Sequence, residues 1–234
     1  MTRRRWIADE VSGNHAALID EHAYHLSRVL RAQVGQEFDI ATGTIVRAGV
    51  VTAVSDSRVE FDLGEERSSA TTKTITLALA VFKFDRMEWA IEKCTELGVA
   101  RVIPVIAQRT ESHLAMAAAK RAERWRRIAR ESSEQSRRAG APEICDPMKL
   151  KELLGVSAAL RIVLSESQPG LALKDALIPA EDVILALGPE GGWTDAESKL
   201  FQDRGWTPAS LGQTVLRAET AAIAALVIVL SESW

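Results

Sequence analysis

Leu187-Gly-Pro-Glu-Gly-Gly-Trp193, answered further on by Leu211-Gly-Gln-Thr-Val-Leu-Arg-Ala-Glu-Thr-Ala221, decides how this chain is read. The first stretch follows an apolar run, 183–187, that reads as an interior strand. Gly188, Gly191 and Gly192 then let the backbone turn tightly and meet a ligand with no Cβ in the way. The second stretch has the same design: a short apolar segment, Gly212, then a helix start. Two glycine turns at strand ends predict one crevice beside an α/β sheet. A P-loop needs Lys and Ser or Thr after its last glycine, whereas Gly192 is followed by Trp193 and Thr194. No G-x-G-x-x-G run occurs in the chain either. A phosphate cradle is thus disfavoured. A ligand gripped by main-chain atoms, such as an adenine or a methionine moiety, fits better.

The paired motifs GPEGGW and LGQTVLRAETA resemble the hallmark of the SPOUT superfamily of knotted methyltransferases, and in particular the bacterial 16S ribosomal RNA uridine N3-methyltransferase family. The likeness extends to Lys83-Phe-Asp-Arg-Met-Glu-Trp-Ala-Ile-Glu-Lys-Cys-Thr-Glu-Leu-Gly98, Arg124-Trp125, residues 131–135, Pro142-Glu-Ile144 and His25-Leu-Ser-Arg-Val-Leu-Arg31. It covers nearly the whole chain, with departures at 41–50 and 108–115. The resemblance implies an α/β fold: a C-terminal α/β knot domain over 73–234, with its trefoil threading, preceded by a small PUA-like RNA-binding β-barrel over 1–70. It also implies S-adenosyl-L-methionine as methyl donor, 16S rRNA of the small ribosomal subunit as partner and N3 of a uridine as acceptor. Alternatives are another SPOUT acceptor, such as ribose 2′-O, and a non-catalytic RNA-binding ribosome-assembly factor.

The expected donor wall is formed by Leu187, Gly188, Pro189, Glu190, Gly191 and Gly192 from the first motif and Leu211, Gly212, Val215 and Leu216 from the second. By the same resemblance, a third wall comes from the strand end Leu164-Ser165-Glu166. Methylation at N3 must remove a proton and stabilise the resulting anion on O2 and O4. Glu190 and Glu219 are the carboxylates nearest the turns, and Arg217 is the cation. Equally, Glu219 favours the positive end of a helix, and Arg217 pairs with it.

Before residue 70, short β-like runs at 38–40, 45–54 and 59–63 surround one helical pattern at 21–31, and 68–72 reads as a linker. After it, strands are expected at 75–82, 101–106, 160–164 and 183–187. Helices are expected at 85–97, about 117–138, 171–177 and from Thr194 to before Gly205. Asp85 with Glu88, and Thr194 with Glu197, have capping-box spacing, and Gly98 suits a helix end. Alternation of this kind predicts a mainly parallel sheet covered on both faces. The last helix, 219–231, is apolar on nearly every side and predicts a second copy covering the face its own domain leaves open, hence a homodimer.

Net charge is −3 over 234 residues, with a 47% hydrophobic fraction. The distribution of charge says more than the total. Between residues 120 and 138 eight basic residues face three acids, and Arg3, Arg4 and Arg5 join Arg28 and Arg31 as a second basic group. With Arg126, Arg127 and Arg130 these are the expected RNA contacts, against the plainer reading of a solvated helix face. Two cysteines, Cys94 and Cys145, make neither a disulfide framework nor a metal cluster, and no metal is expected. His25 lacks partners at ligand spacing and reads as packing or an RNA contact. Trp125 reads as the buried anchor of the basic helix, and Trp193 as packing before it is a stacking surface. No apolar run follows the basic N-terminus as in a signal peptide, and 221–230 is too short for a bilayer span, so a cytoplasmic protein without a membrane partner is expected.

Overall fold

The computed structural model describes residues 5–43, 45–69, 74–136, 138–165 and 171–231. The chain divides into two compact units, Met1–Thr71 with Ser133–Ala141, and Thr72–Ser132 with Pro142–Trp234.

The first unit contains β1 (Arg5–Ile7), β2 (Glu10–Ser12), β3 (His15–Ile19), α1 (Asp20–Tyr24), β4 (Glu37–Ala41), β5 (Ile45–Val54) and β6 (Arg58–Ser69). Its strands form one six-stranded sheet in the order β1-β4-β5-β6-β3-β2, antiparallel except where β1 runs alongside β4. Val59, Phe61 and Leu63 alternate into the core beside Leu18, Leu26, Ile40 and Val51, as the two-residue period of a strand requires. The single helix expected over 21–31 is corrected: α1 stops at Tyr24, and a π-helical turn, His25–Val29, follows. The amide of Leu30 reaches the carbonyl of His25 at 3.1 Å, and Arg31 then takes a positive φ of 53° that ends helical structure. His25 packs edge-on to Trp6, with centroids 5.7 Å apart.

The second unit holds β7 (Thr74–Ala80), α2 (Phe84–Leu97), β8 (Arg101–Ile106), α3 (Ser112–Gln135) as far as Ser132, β9 (Glu143–Ile144), β10 (Met148–Lys149), α4 (Leu150–Leu153), β11 (Leu160–Leu164), β12 (Leu171–Ala172), α5 (Leu173–Ala176), β13 (Asp182–Leu187), α6 (Asp195–Asp203), β14 (Thr207–Ser210) and α7 (Ala218–Ser231). Its strands run parallel in the order β10-β8-β7-β13-β11-β14-β12, with β9 also paired to β8. Strand alternation builds two cores. Ile75, Leu77, Leu79, Val183, Leu185 and Leu187 face one side with α2, α3 and α7. Ala78, Ala80, Ile184 and Ala186 face the other, where small strand residues leave room for Trp193, Phe201 and Trp206. Phe201 lies edge-on to both tryptophans, with centroids 4.9 and 5.1 Å apart. Trp193 is therefore a packing residue, and Trp125 is fully buried at the centre of α3.

Helix ends separate correct from incorrect readings. Thr194 and Glu197 close a capping box, with the Glu197 amide donating to Thr194 Oγ1 at 3.2 Å and the Thr194 amide to Glu197 Oε2 at 2.9 Å. Gly98 caps α2 with φ 106°. The Asp85–Glu88 box does not form. The helix begins at Phe84 after Lys83, with no side-chain cap, and Glu88 instead accepts from Arg124 Nε and Nη2 at 2.6 and 2.8 Å. The helical segment expected at 171–177 begins as β12, and the basic helix starts earlier than expected, at Ser112.

A continuous first domain over 1–70 also needs correction, because Ser133–Ala141 joins the first unit. The Gly43 amide donates to the Ala139 carbonyl at 3.1 Å, and a Cβ on Gly140 would lie only 3.0 Å from Gly43 Cα. The linker expected at 68–72 falls partly on β6, and residues 70–72 lie outside the described ones.

Candidate active site

Parallel strands deliver their following loops to one edge of a sheet, and a cavity forms where several such loops meet. Here β8, β7, β13, β11 and β14 are consecutive neighbours. Beyond their C-terminal ends lies a cavity of about 440 Å³, within the range of small-ligand sites. Leu164 ends β11 and Ser165 follows it; Leu187 ends β13 and Gly188, Pro189, Glu190, Gly191 and Gly192 follow; Leu211, Gly212, Val215 and Leu216 follow β14. Every described residue expected in the donor wall lines this cavity. Glu166, like Arg3 and Arg4, lies outside the described residues.

The glycines have distinct reasons to be glycine. Gly192 and Gly212 have φ of 69° and 122°. A Cβ on Gly188 would meet the Trp193 amide nitrogen at 3.2 Å and Gly192 Cα at 3.3 Å, main-chain atoms with little room to give. At Gly191 a Cβ would meet only the Arg109 side chain, Cδ at 3.3 Å. The wall is therefore largely bare backbone between the apolar Leu187, Leu211 and Leu216. This cradle suits a flat, partly apolar ligand recognised by main-chain groups.

Three cationic residues absent from the expected site also line it: Lys83, Arg86 and Arg109. Arg109 Nη1 donates to the Gly191 carbonyl and, at 3.4 Å, to that of Trp193. Arg86 Nη1 donates to Glu190 Oε1 at 2.6 Å, and its Nε lies 3.8 Å from Glu219 Oε1. The two candidate carboxylates thus share one guanidinium. They differ in surroundings: Glu190 is exposed at the cavity, whereas Glu219 is buried, 5% exposed, with Oε2 lacking a hydrogen-bond partner among the described residues. Arg217 lines the cavity and also a second depression beside it, which Glu219 lines too. Glu219 pairs with Arg86, and among the described residues it does not pair with Arg217. Arg86 was findable, since it stands inside the Lys83–Gly98 motif.

The expected RNA contacts differ in their pairing and exposure. Arg28 is bound bidentately to Asp56, both distances being 2.7 Å. Arg126 donates to Asp146 at 2.7 Å, to the Ile144 carbonyl at 3.1 Å and to Glu123. Arg127, more exposed, approaches Glu131 only to 3.8 Å. Arg5 and Arg130 are half-buried, and Arg31 is exposed.

The chain matches the family model for an RNA methyltransferase domain over residues 69–230. It is 35% identical over 212 residues to the ribosomal RNA small subunit methyltransferase E of Synechocystis sp., covering 87% of this chain and 68% of the relative. The crystal structure of a ribosomal RNA small subunit methyltransferase E from Neisseria gonorrhoeae, bound to S-adenosyl methionine, superposes with a TM-score of 0.86 at 28% identity, covering 100% and 98% of the two chains. A methyltransferase from Legionella pneumophila, in complex with bound SAM, superposes with a TM-score of 0.85 at 29% identity, covering 99% and 98%. A mixed α/β fold of the RNA methyltransferase class is thereby established. Within that class the chain belongs to the ribosomal RNA small subunit methyltransferase E family.

Proposed function

We propose that this protein uses S-adenosyl-L-methionine to methylate N3 of a uridine in 16S rRNA of the small ribosomal subunit. The observation that carries the donor assignment is the backbone-lined cavity, where a Cβ on Gly188 would press on main-chain atoms of its own turn and the adjoining walls are apolar. Family membership and the two donor-bound neighbours support it. The donor supplies a methyl group already activated by a sulfonium. The remaining work is alignment and proton removal. Glu190, exposed at the cavity and held by Arg86, accepts the N3 proton. N3 then forms its bond to the methyl carbon while the C–S electron pair stays on sulfur. Arg217 stabilises the charge that develops on O2 and O4. Glu219, buried beneath Arg86, serves by fixing that guanidinium.

The second unit is read as a SPOUT trefoil-knot domain and the first as a PUA-like RNA-binding barrel. A homodimer is supported by α7, whose Ala222, Ala225, Leu226 and Val229 are buried while Val227 remains 45% exposed on an otherwise apolar helix. Among the described residues no helix is long and apolar enough to cross a membrane. Nucleoside mass spectrometry of 16S rRNA from cells lacking this gene tests the reaction. Loss of 3-methyluridine is expected; loss of a 2′-O-methylnucleoside with 3-methyluridine retained overturns it.

A further inference from the structure

Beside the donor cavity lies a second, open depression lined by Asp85, Arg86, Trp89, Arg217, Glu219 and Thr220. It lies between the first turns of α2 and α7 and shares Arg86 and Arg217 with the donor cavity. Asp85 and Arg86 stand four and three residues before Trp89, so all three occupy one face of α2. Trp6, Trp125, Trp193 and Trp206 are buried, whereas Trp89 is 45% exposed. An indole left open beside two guanidiniums is not explained by packing of this chain. A buried carboxylate stands at the same place, Glu219, with Oε2 lacking a hydrogen-bond partner among the described residues.

We infer that this depression is the subsite for the acceptor base, with Trp89 as the surface on which a uracil stacks. The inference rests on the proposed RNA methylation and adds to it the site of the target. Uracil presents two carbonyl acceptors, O2 and O4, flanking N3–H, and guanidinium groups donate hydrogen bonds only. Arg86 and Arg217 therefore suit a uracil edge. Cytosine would turn its N4 amino donors toward those cations and has no N3 proton to lose. Since the two arginines border both hollows, a base stacked on Trp89 presents its edge toward the donor cavity.

The test compares Trp89→Ala and Trp89→Phe with the parent protein, using small ribosomal subunits from cells lacking this gene as substrate. Methyl transfer is followed with a tritiated donor, so that the readout does not depend on which atom is methylated. Base–aromatic stacking corresponds to a rise in RNA KM of about tenfold to a hundredfold for Trp89→Ala. Trp89→Phe should restore most of that loss. Donor affinity by calorimetry should stay unchanged, because Trp89 does not line the donor cavity. An unaltered RNA KM overturns the subsite. So does a loss that follows dissociation into monomers by sedimentation, which would make Trp89 a contact between copies. Mass spectrometry of the methylated nucleoside separately judges the N3 reaction: a product other than 3-methyluridine with the KM effect intact removes that reaction and keeps the stacking surface.

Discussion

Arg109 Nη1 donates to the main-chain carbonyl of Gly191, so the loop after β8 holds the glycine turn after β13, although β7 lies between the two strands. A hydrogen bond from a charged donor contributes about 1.5–3 kcal/mol. Arg109→Ala should free the turn and raise the Kd for S-adenosylmethionine by about tenfold or more. Calorimetry checks this; a Kd equal to that of the parent would mean that the turn holds its shape unaided.

The glycines should not respond alike to substitution. Gly188→Ala forces a Cβ against main-chain atoms and should lower both donor affinity and thermal stability. At Gly191 an added Cβ meets only the Arg109 side chain and no main-chain atom, so for Gly191→Val the fold should survive while donor binding falls sharply. Thermal melts beside calorimetry separate the two. Equal melting losses would show that both positions are governed by packing.

Trp125 is fully buried among α2 and α3 and lies edge-on to Phe84, with centroids 6.0 Å apart. Trp125→Ala should cost about 3–5 kcal/mol in urea unfolding. A cost below about 1 kcal/mol would be that of a surface site and would remove the anchor role.

Replacing Arg126, Arg127 and Arg130 by Glu tests whether α3 meets RNA. Each lost phosphate contact should reduce the slope of log affinity against log salt by about 1. Arg126 is already paired with Asp146 and Glu123, so Arg127→Glu alone should account for most of the change. A slope identical to the parent's would assign the helix face to water.

Burial pushes the Cys94 thiol from its ordinary 9.0 up to about 12. A folded pKa above the unfolded one contributes stability that is complete below about pH 9 and is lost as pH rises toward 12. Denaturant midpoints should therefore fall more steeply over that window for the parent than for Cys94→Ala. Parallel curves would contradict the burial argument.

Much of the second unit was legible because its strands are short apolar runs. The strands at 101–106 and 160–164 agree with the structure to the residue, and that at 183–187 begins one residue earlier. The glycine part of the cavity wall was legible because glycines mark close backbone approach. Lys83, Arg86 and Arg109 were missed as site residues because strand order brings them to the cavity, and strand order is not written in local periodicity. Glu88 was misread as a cap because its partner, Arg124, lies on another helix. A helical period likewise gives no sign of the π-helical turn at His25–Val29, whose apolar spacing looks helical throughout.

Because Ser133–Ala141 belongs with the first seventy-one residues, the N-terminal unit is discontinuous in sequence. On the ribosome it cannot finish folding until residue 141 has emerged, well after β7 and β8 have been made. An isolated fragment ending near residue 71 would lack the Ala139 carbonyl that receives the Gly43 amide. Excising this unit for RNA titrations therefore calls for a tethered 133–141 segment rather than a simple truncation.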